Sequence, residues 1–478
     1  MGIPFFPTSR LSGARIAGFS CYQGFIYAVF YMGMNRALSW EAASLERADL
    51  LSTLLAAVVV FALLEMRPAL SRRFVESEAA LAICAFMLTA GAFLAEGPAS
   101  TFFGGVVIEG VLVGAPMAVL LMAWGRVLGH TSPRAAACEI FVSTGCAAAA
   151  CFAASFFGPQ ASAVLSAVLP ATSTGLLLTC APEHRGKTLA VGCDDVALSA
   201  SPSRARLLSR RMLVGAGMFG LAAGLMETFR SHPGASSAPG FPATLFILAL
   251  FCLAVLQSLK AKSDDGGGGP LAGVYRIVMA LMMAGFLFTP ALYGSGIPGE
   301  AVVLAACLGL TAVFVALFIA VAALRGIDSA STFCRGFCAL YLGEALGIAA
   351  GNGLDVFGPS DPVQHAMLAV AGLAAVVAYL FLFTESDFEE LSVIVDAADT
   401  VDIMHASIVA AAKLSPRESE VLALALRGRT NERIAQELVV AKSTVDTHLR
   451  RIYGKAGVHS RQELIDFGER LAKGKKSR

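Results

Sequence analysis

The chain is 478 residues long, 56% hydrophobic and only 15% charged, with a mean hydropathy of +0.70. Those values exclude a protein that is soluble throughout, and the length exceeds one ordinary domain. The formal net charge of +1 is an average over unlike parts, because the last 94 residues, from Glu385, hold 15 basic and 15 acidic residues while everything before them is sparsely charged. A long lipid-compatible body followed by a short soluble tail is expected.

Twelve runs of predominantly apolar residues have the roughly 20-residue length that spans a bilayer. They lie at Ala14–Met34, Leu50–Met66, Ala79–Ala95, Phe102–Trp124, Ala135–Phe157, Ala161–Cys180, Met212–Thr228, Phe241–Leu259, Arg276–Gly294, Glu300–Leu324, Cys334–Gly351 and Gln364–Thr384. Arg10 and Arg15 lead straight into a full-length first run, without the short apolar core and small-residue site of a cleavable signal. Of 11 cysteines, all but Cys193 fall in or beside apolar runs and none in the tail, so no disulfide or zinc framework is expected. Cys334 and Cys338 share a helix face but have no further ligand to complete a metal site.

Basic residues orient such a chain, because short loops rich in Lys and Arg stay in the cytoplasm. With twelve spans, 18 basic residues fall on the side of both termini and only Arg36, Arg47 and Arg230 on the other. The expected location is therefore a bacterial inner membrane, multi-pass, with both termini and the tail cytoplasmic. The longest internal connection, Ala181 to Arg211, divides the runs six and six. This layout resembles the major facilitator architecture of secondary transporters, which implies a substrate site between the halves near the midplane.

Ionisable residues inside spans are expensive and so become ligand-binding candidates. Three acids qualify. Glu109 lies in the fourth run, Glu344 near the middle of the eleventh, and Glu139 one turn into the fifth, near Arg134 and within reach of the interface. No basic residue occupies a span centre, so Glu109 and Glu344 have no evident partner. Each could equally be a carboxyl that hydrogen-bonds inside the bundle without binding anything. Gly215, Gly217, Gly220 and Gly224 are read as surfaces for close helix packing.

The tail begins with an acidic stretch. Residues 385–412 carry seven acids and no Lys or Arg, and are expected to be a partly helical linker with Leu391, Val395 and Ala398 at helical spacing. From Lys413 to the end, 15 basic residues face 8 acidic ones, and four short helices are expected. Ser415, Pro416 and Glu418 read as a capping box with proline at the first helical position, Thr430 as the cap of a second helix, and Ser460 with Glu463 as a second box. Between the last two caps, a tight turn at Val439–Ala441 precedes a basic helix from Lys442 to about Lys455. That is the layout of a helix-turn-helix.

In that basic helix Val445, Leu449, Ile452 and Ala456 form one stripe, opposite Ser443, Thr447, Arg450 and Gly454. The outward face has little bulk and is flanked by Lys442, Asp446, Arg451 and Tyr453. It suits a major groove, where Arg bonds a guanine edge and Thr meets a thymine methyl. Arg451, Lys455 and Arg461 are placed for phosphates, which add affinity without sequence information.

Leu414-Ser-Pro-Arg-Glu418, Val421-Leu422, Asn431-Glu-Arg-Ile-Ala-Gln-Glu-Leu438, Thr444-Val-Asp-Thr-His-Leu449, Ile452-Tyr453, Lys455 and Val458-His-Ser-Arg-Gln-Glu-Leu464 together resemble the LuxR-type (GerE-like) DNA-binding domain. The resemblance implies base-reading positions at Asp446, Thr447 and Arg450, with Lys442, Thr444, Lys455 and Arg461 near the backbone, and a last helix that pairs two copies. Two positions depart from the family. Ala441 stands where a capping Ser is usual, a change worth about 1 kcal/mol, and Asp446 stands where Lys or Arg is frequent.

The expected whole is all-α: residues 1–384 as a 12-helix membrane domain, 385–412 as linker, and 413–478 as the helix-turn-helix domain. That layout resembles the transmembrane LuxR-type regulators of gut Actinobacteria. It implies a one-component transcription regulator with promoter DNA, RNA polymerase, an unknown small-molecule ligand and the lipid bilayer as partners, and a homodimer through the last helix on DNA. The competing reading is a secondary transporter with a regulatory tail. No phosphate-binding loop, metal-ligand cluster or nucleophile with its base points to an enzyme, and no cofactor is expected.

Overall fold

A computed structural model of the chain describes residues 10–32, 37–40, 43–97, 102–131, 133–180, 202–229, 240–260, 270–291, 299–325, 329–355, 361–382, 401, 404–426, 428–438 and 440–476. The expected helical spacing at Leu391, Val395 and Ala398 lies outside them. Helix α1 (Arg10–Tyr27) runs into a π turn (Ala28–Met32), followed by a short hairpin, β1 (Ala37–Trp40) against β2 (Ala43–Glu46). Next come α2 (Ala48–Met66), α3 (Pro68–Glu76), α4 (Glu78–Glu96), α5 (Phe103–Leu128), α6 (Pro133–Ser155) and α7 (Pro159–Cys180). The second half holds α8 (Pro202–Thr228), α9 (Gly240–Lys260), α10 (Pro270–Ala291), α11 (Glu300–Arg325), α12 (Ser329–Asp355) and α13 (Asp361–Val377), which ends in a π turn (Ala378–Leu382).

Among the described residues the fold is all-α apart from the hairpin, and the described part of each of the twelve apolar runs falls on a helix or its first flanking residue. Among the described residues, nine of these helices are long and apolar enough to cross a membrane, and residues 365–380 form a shorter apolar helix. The two other runs lie on α1, which opens with Arg10 and Arg15, and on α8, whose first turns hold Arg204, Arg206, Arg210 and Arg211. Large apolar side chains stand outward at helical spacing, as with Leu55, Val59 and Leu63 on α2 and Ile83, Phe86 and Phe93 on α4. Such continuous outward apolar faces are compatible with lipid and not with water. The protein is an integral membrane protein over this region.

Two connections read as loops have structure. Proline at the first position starts α3, which follows Arg67, carries Arg72 and Arg73 and ends on Glu76, paired with Arg126 of α5 at 2.8 Å. The hairpin seats Leu38 and Leu45 against Ala48 and Val106. Asn352 of α12 holds it from the other half, donating to the Glu46 carbonyl at 3.1 Å and accepting from the Glu46 N–H at 2.6 Å.

Glycines set the closest crossings, as expected for Gly220 and Gly224. A Cβ at Gly220 would overlap the Leu340 carbonyl, and one at Gly224 the Glu344 carbonyl; on the other side Gly343 meets Gly217 and Gly347 meets Leu221. Helices α8 and α12 therefore touch backbone to backbone, the small-residue packing that lipid-embedded helices favour. Between halves, α2 packs on α12 and α6 on α9.

The C-terminal helices have a separate core. A helix over residues 404–412 (α14) precedes α15 (Pro416–Leu426), α16 (Asn431–Glu437), α17 (Lys442–Ala456) and α18 (Arg461–Lys476). Val421, Leu422, Ala425, Ile434, Val445, Leu449, Ile452 and Leu464 fill this core together with Ile408. Helix α14, which falls in the stretch expected as linker, is thus packed on the domain, with Met404 and Ile408 against Gly468.

Candidate functional sites: an inter-half cavity and a nucleic-acid interface

A cluster of buried charged and polar groups lies at the junction of the halves of the membrane domain. Arg47 occupies a left-handed position (φ 53°) that starts α2, and its guanidinium turns inward. It pairs with Glu227 of α8 at 2.8 Å, with the two side chains only 1% and 2% exposed. It also donates to the Phe30 carbonyl at 3.0 Å and lies over the rings of Tyr31 and Phe241. Tyr31 donates its hydroxyl to the other Glu227 oxygen at 2.5 Å. A buried charge is tolerated only when paired and hydrogen-bonded; Arg47 and Glu227 pair across the halves and each has one further hydrogen bond, to Phe30 and from Tyr31, while Arg47 Nε makes none among the described residues.

A cavity opens beside it. Its walls come from α1, α2 and α5 on one side and from α11 and α12 on the other, with Tyr22, Gln23, Tyr27, Tyr31, Thr311, Tyr341 and Glu344 as the polar lining. It holds about 670 Å³ of space free of atoms, open solvent included.

Of the three acids singled out, only Glu344 lines this cavity. Glu109 is buried on α5 away from it. Glu139 is held by α1 rather than by the nearby Arg134: Arg15 donates to both its oxygens, at 2.6 and 2.9 Å, and Ser12 donates at 2.6 Å. Arg134 instead donates to the Leu259 carbonyl at 2.9 Å, a further tie between halves. Glu139 is buried by this pairing, because α1 lies against α6 along that face.

Arg47, Glu227 and Tyr31 are the site residues that sequence reasoning passed over. Arg47 reads as a loop charge and Glu227 as the end of a span, so neither looks buried by itself. The usable signal was that an acid inside the seventh run, even one residue from its end, needs a partner when it is buried.

In the C-terminal domain the caps form as expected. Ser415 and Glu418 exchange bonds, the Ser415 N–H to Glu418 at 2.8 Å and the Glu418 N–H to Ser415 at 3.4 Å. The Thr430 hydroxyl accepts from the Arg433 N–H at 3.3 Å. Ser460 accepts from the Glu463 N–H, while Glu463 reaches one residue further back, to the His459 N–H at 2.8 Å. Ala441 leaves the start of α17 without a side-chain cap. Its other end closes on Gly457, left-handed at φ 68°, where the absence of a Cβ makes the turn free of strain.

On α17, Val445, Leu449 and Ile452 are buried and Ser443, Thr447, Arg450 and Gly454 exposed, matching the expected stripes. Residues 412–467 match the family of bacterial regulatory proteins, luxR family. They are a LuxR-type DNA-binding domain. Over the larger part of the chain, similar solved structures include the proton:xylose symporter XylE with bound 6-bromo-6-deoxy-D-glucose (14% identity, 80% of this chain and 98% of that one, TM-score 0.48). Others are the human organic anion transporter MFSD10 (9%, 78% and 100%, 0.46) and the E. coli fucose:proton symporter FucP (11%, 77% and 97%, 0.38).

Within the LuxR-type domain the candidate DNA-binding residues differ in availability. Arg450 and Arg451 are exposed and have no ion pair or hydrogen bond among the described residues. Ser443, Thr444 and Thr447 are exposed, and Thr447 donates to the Ser443 carbonyl at 2.8 Å. Asp446 accepts from Asn431 at 2.7 Å and so fastens α17 to α16. Lys442 pairs with Glu432, whose carboxylate raises the lysine pKa. Lys455 pairs with the buried Glu418 at 2.6 Å, and Arg461 donates to the carbonyls of Ala425 and, at 2.9 Å, of Arg429. The Lys455 ammonium and the Ser415 N–H hold the Glu418 carboxyl down at about 2. Three of the expected phosphate contacts thus also tie the domain together. Among the described residues no group of three His, Cys, Asp or Glu is placed to hold a metal ion.

Proposed function

We propose that the protein is a membrane-bound one-component transcription regulator whose membrane domain senses a small molecule and whose LuxR-type domain binds promoter DNA. The observation that carries this reading is a LuxR-type domain with an open recognition face on the same chain as a membrane bundle that has a cavity between its halves. In this reading twelve spans in two sets of six place both termini in the cytoplasm, and the DNA-binding unit begins at α14. Arg450 and Thr447 read bases. Arg451 contacts phosphate, joined by Lys442, Lys455 and Arg461 as they exchange internal partners for the backbone, and α18 pairs two copies.

A ligand shifts such a protein only if it binds two arrangements unequally. Contacts between the halves supply the bistable element. One end is held by the buried Arg47–Glu227 pair and by Asn352, and the exposed Arg335–Glu65 pair, at 2.6 Å, joins α12 to α2 at a second place. A ligand in the cavity touches both halves and so biases their relation, which α13 passes toward the tail.

The test is a duplex-shift measurement with a fragment from residue 404, against promoter fragments recovered by genome-wide mapping of the full-length protein. Binding that falls steeply with salt and is weakened in Arg450→Ala supports regulation. A fragment that binds no recovered promoter sinks it. The cavity and its carboxylate also support the transporter reading, for which solute flux into vesicles, abolished by Glu344→Gln and indifferent to Arg450→Ala, is the discriminating result.

A further inference from the structure

The charges around the cavity do not balance. Arg47 is committed to Glu227, to a backbone carbonyl and to two aromatic faces. Asp49, also buried, adds a further acid within the field of Arg47. Glu344 interacts electrostatically with both members of the pair, attractively with Arg47 and repulsively with Glu227. It has no hydrogen bond or ion pair of its own among the described residues. One cation therefore faces three acids; its ion pair goes to Glu227, and of the two acids left over, Asp49 and Glu344, Glu344 is the one on the cavity wall.

The rest of the wall is aromatic. Tyr22 is tied by its hydroxyl to the Met117 carbonyl at 3.0 Å and Tyr31 to Glu227. Tyr27 and Tyr341 line the cavity with hydroxyls that make no hydrogen bond among the described residues, and Phe337 meets Tyr341 edge to face at 5.5 Å between centroids. Aromatic faces attract an organic cation through their quadrupoles, and more strongly where water is excluded. A lone carboxylate in such a place supplies the charge that the cation must meet. An anionic ligand would face Glu344 with Arg47 already occupied, and a neutral apolar one would leave Glu344 and two phenols unused.

We infer that the cavity between the halves binds an organic monocation of the protonated-amine class, with Glu344 as its counter-ion and the Tyr27 and Tyr341 rings beside its body. This names the ligand class within the sensing reading above and rests on that reading only for what the ligand does. Binding itself needs nothing from the DNA-binding domain.

The decisive experiment is calorimetric titration of the full-length protein in lipid nanodiscs with three probes of one shape and different charge: phenethylamine, 2-phenylethanol and phenylacetate. The amine is expected to bind at least tenfold tighter than the alcohol and the acetate. Glu344→Gln is expected to lose at least tenfold for the amine alone, and Glu344→Asp to retain binding within a few-fold. The proposal is overturned if the amine does not bind, if the alcohol or the acetate binds as well as the amine, or if Glu344→Gln leaves amine binding unchanged. Should Glu344→Gln fail to fold, the probe series on the unaltered protein and on Glu344→Asp decides alone. Promoter binding measured on the same nanodiscs separates the two readings. Amine binding without any effect on DNA binding upholds the ligand class and overturns sensing, whereas promoter binding unaffected by an amine that does not bind overturns the ligand class alone.

Discussion

Removing Arg47 should leave a buried carboxylate without its cation, and the cost can be set from the geometry. At 2.8 Å and an effective dielectric constant of about 20, the pair with Glu227 attracts by about 6 kcal/mol. The desolvation of both ions offsets much of that, so Arg47→Ala is expected to cost about 3 to 5 kcal/mol, most of it the penalty of Glu227 left uncompensated. The exposed Arg335–Glu65 pair is shorter, at 2.6 Å, but its side chains are 49% and 33% exposed, and Arg335→Ala should cost about 0 to 1 kcal/mol. Thermal unfolding of the full-length protein in detergent micelles, followed by circular dichroism, compares the two variants directly. Arg47→Met combined with Glu227→Met should be less destabilised than the two single losses added together, because the double change removes both charges. The reasoning is refuted if Arg47→Ala melts with Arg335→Ala, or if the two single losses simply add.

Glu418→Gln should change the acid response of the C-terminal domain. A carboxyl held down at about 2 stabilises the fold fully above its unfolded value of about 4.3, and that contribution disappears as pH falls toward 2. Urea titrations of the fragment from residue 404 should show the unaltered domain weakening through that window and Glu418→Gln, already weaker by about 1 to 2 kcal/mol at pH 7, weakening less. On DNA, Arg450→Ala should cost about 1 to 3 kcal/mol and relax discrimination at one base pair, whereas Arg451→Ala should weaken all sequences alike and lower the salt slope by about one, as read by gel shift over a salt series. Ala441→Ser should restore the missing cap of α17 and raise stability by about 1 kcal/mol in the same urea titrations. Gly224→Val should force α8 away from the Glu344 carbonyl, and crosslinking of cysteines placed on α8 and α12 should drop accordingly.

The helix-turn-helix was legible residue by residue. Caps and stripes are local patterns: Ser415 bonds a group three positions on, and Val445, Leu449 and Ile452 share a face through helical spacing alone. The packing of α14 into that domain was not legible, because the acidic stretch before it advertised a solvated linker and only the folded core has room for Ile408. The hairpin and α3 were missed for a related reason, being short polar segments whose order depends on what they lie against.

By itself the sequence determined that the chain has a lipid-compatible body and a DNA-binding tail, because hydrophobicity, helical period and cap chemistry act over a few residues. Only the tertiary structure decided which charges meet. It placed Glu344 on a cavity, gave Glu139 to Arg15, and brought Arg47 inward to Glu227, since in a low-dielectric interior the cost of an unpaired ion selects partners across the fold rather than along the chain.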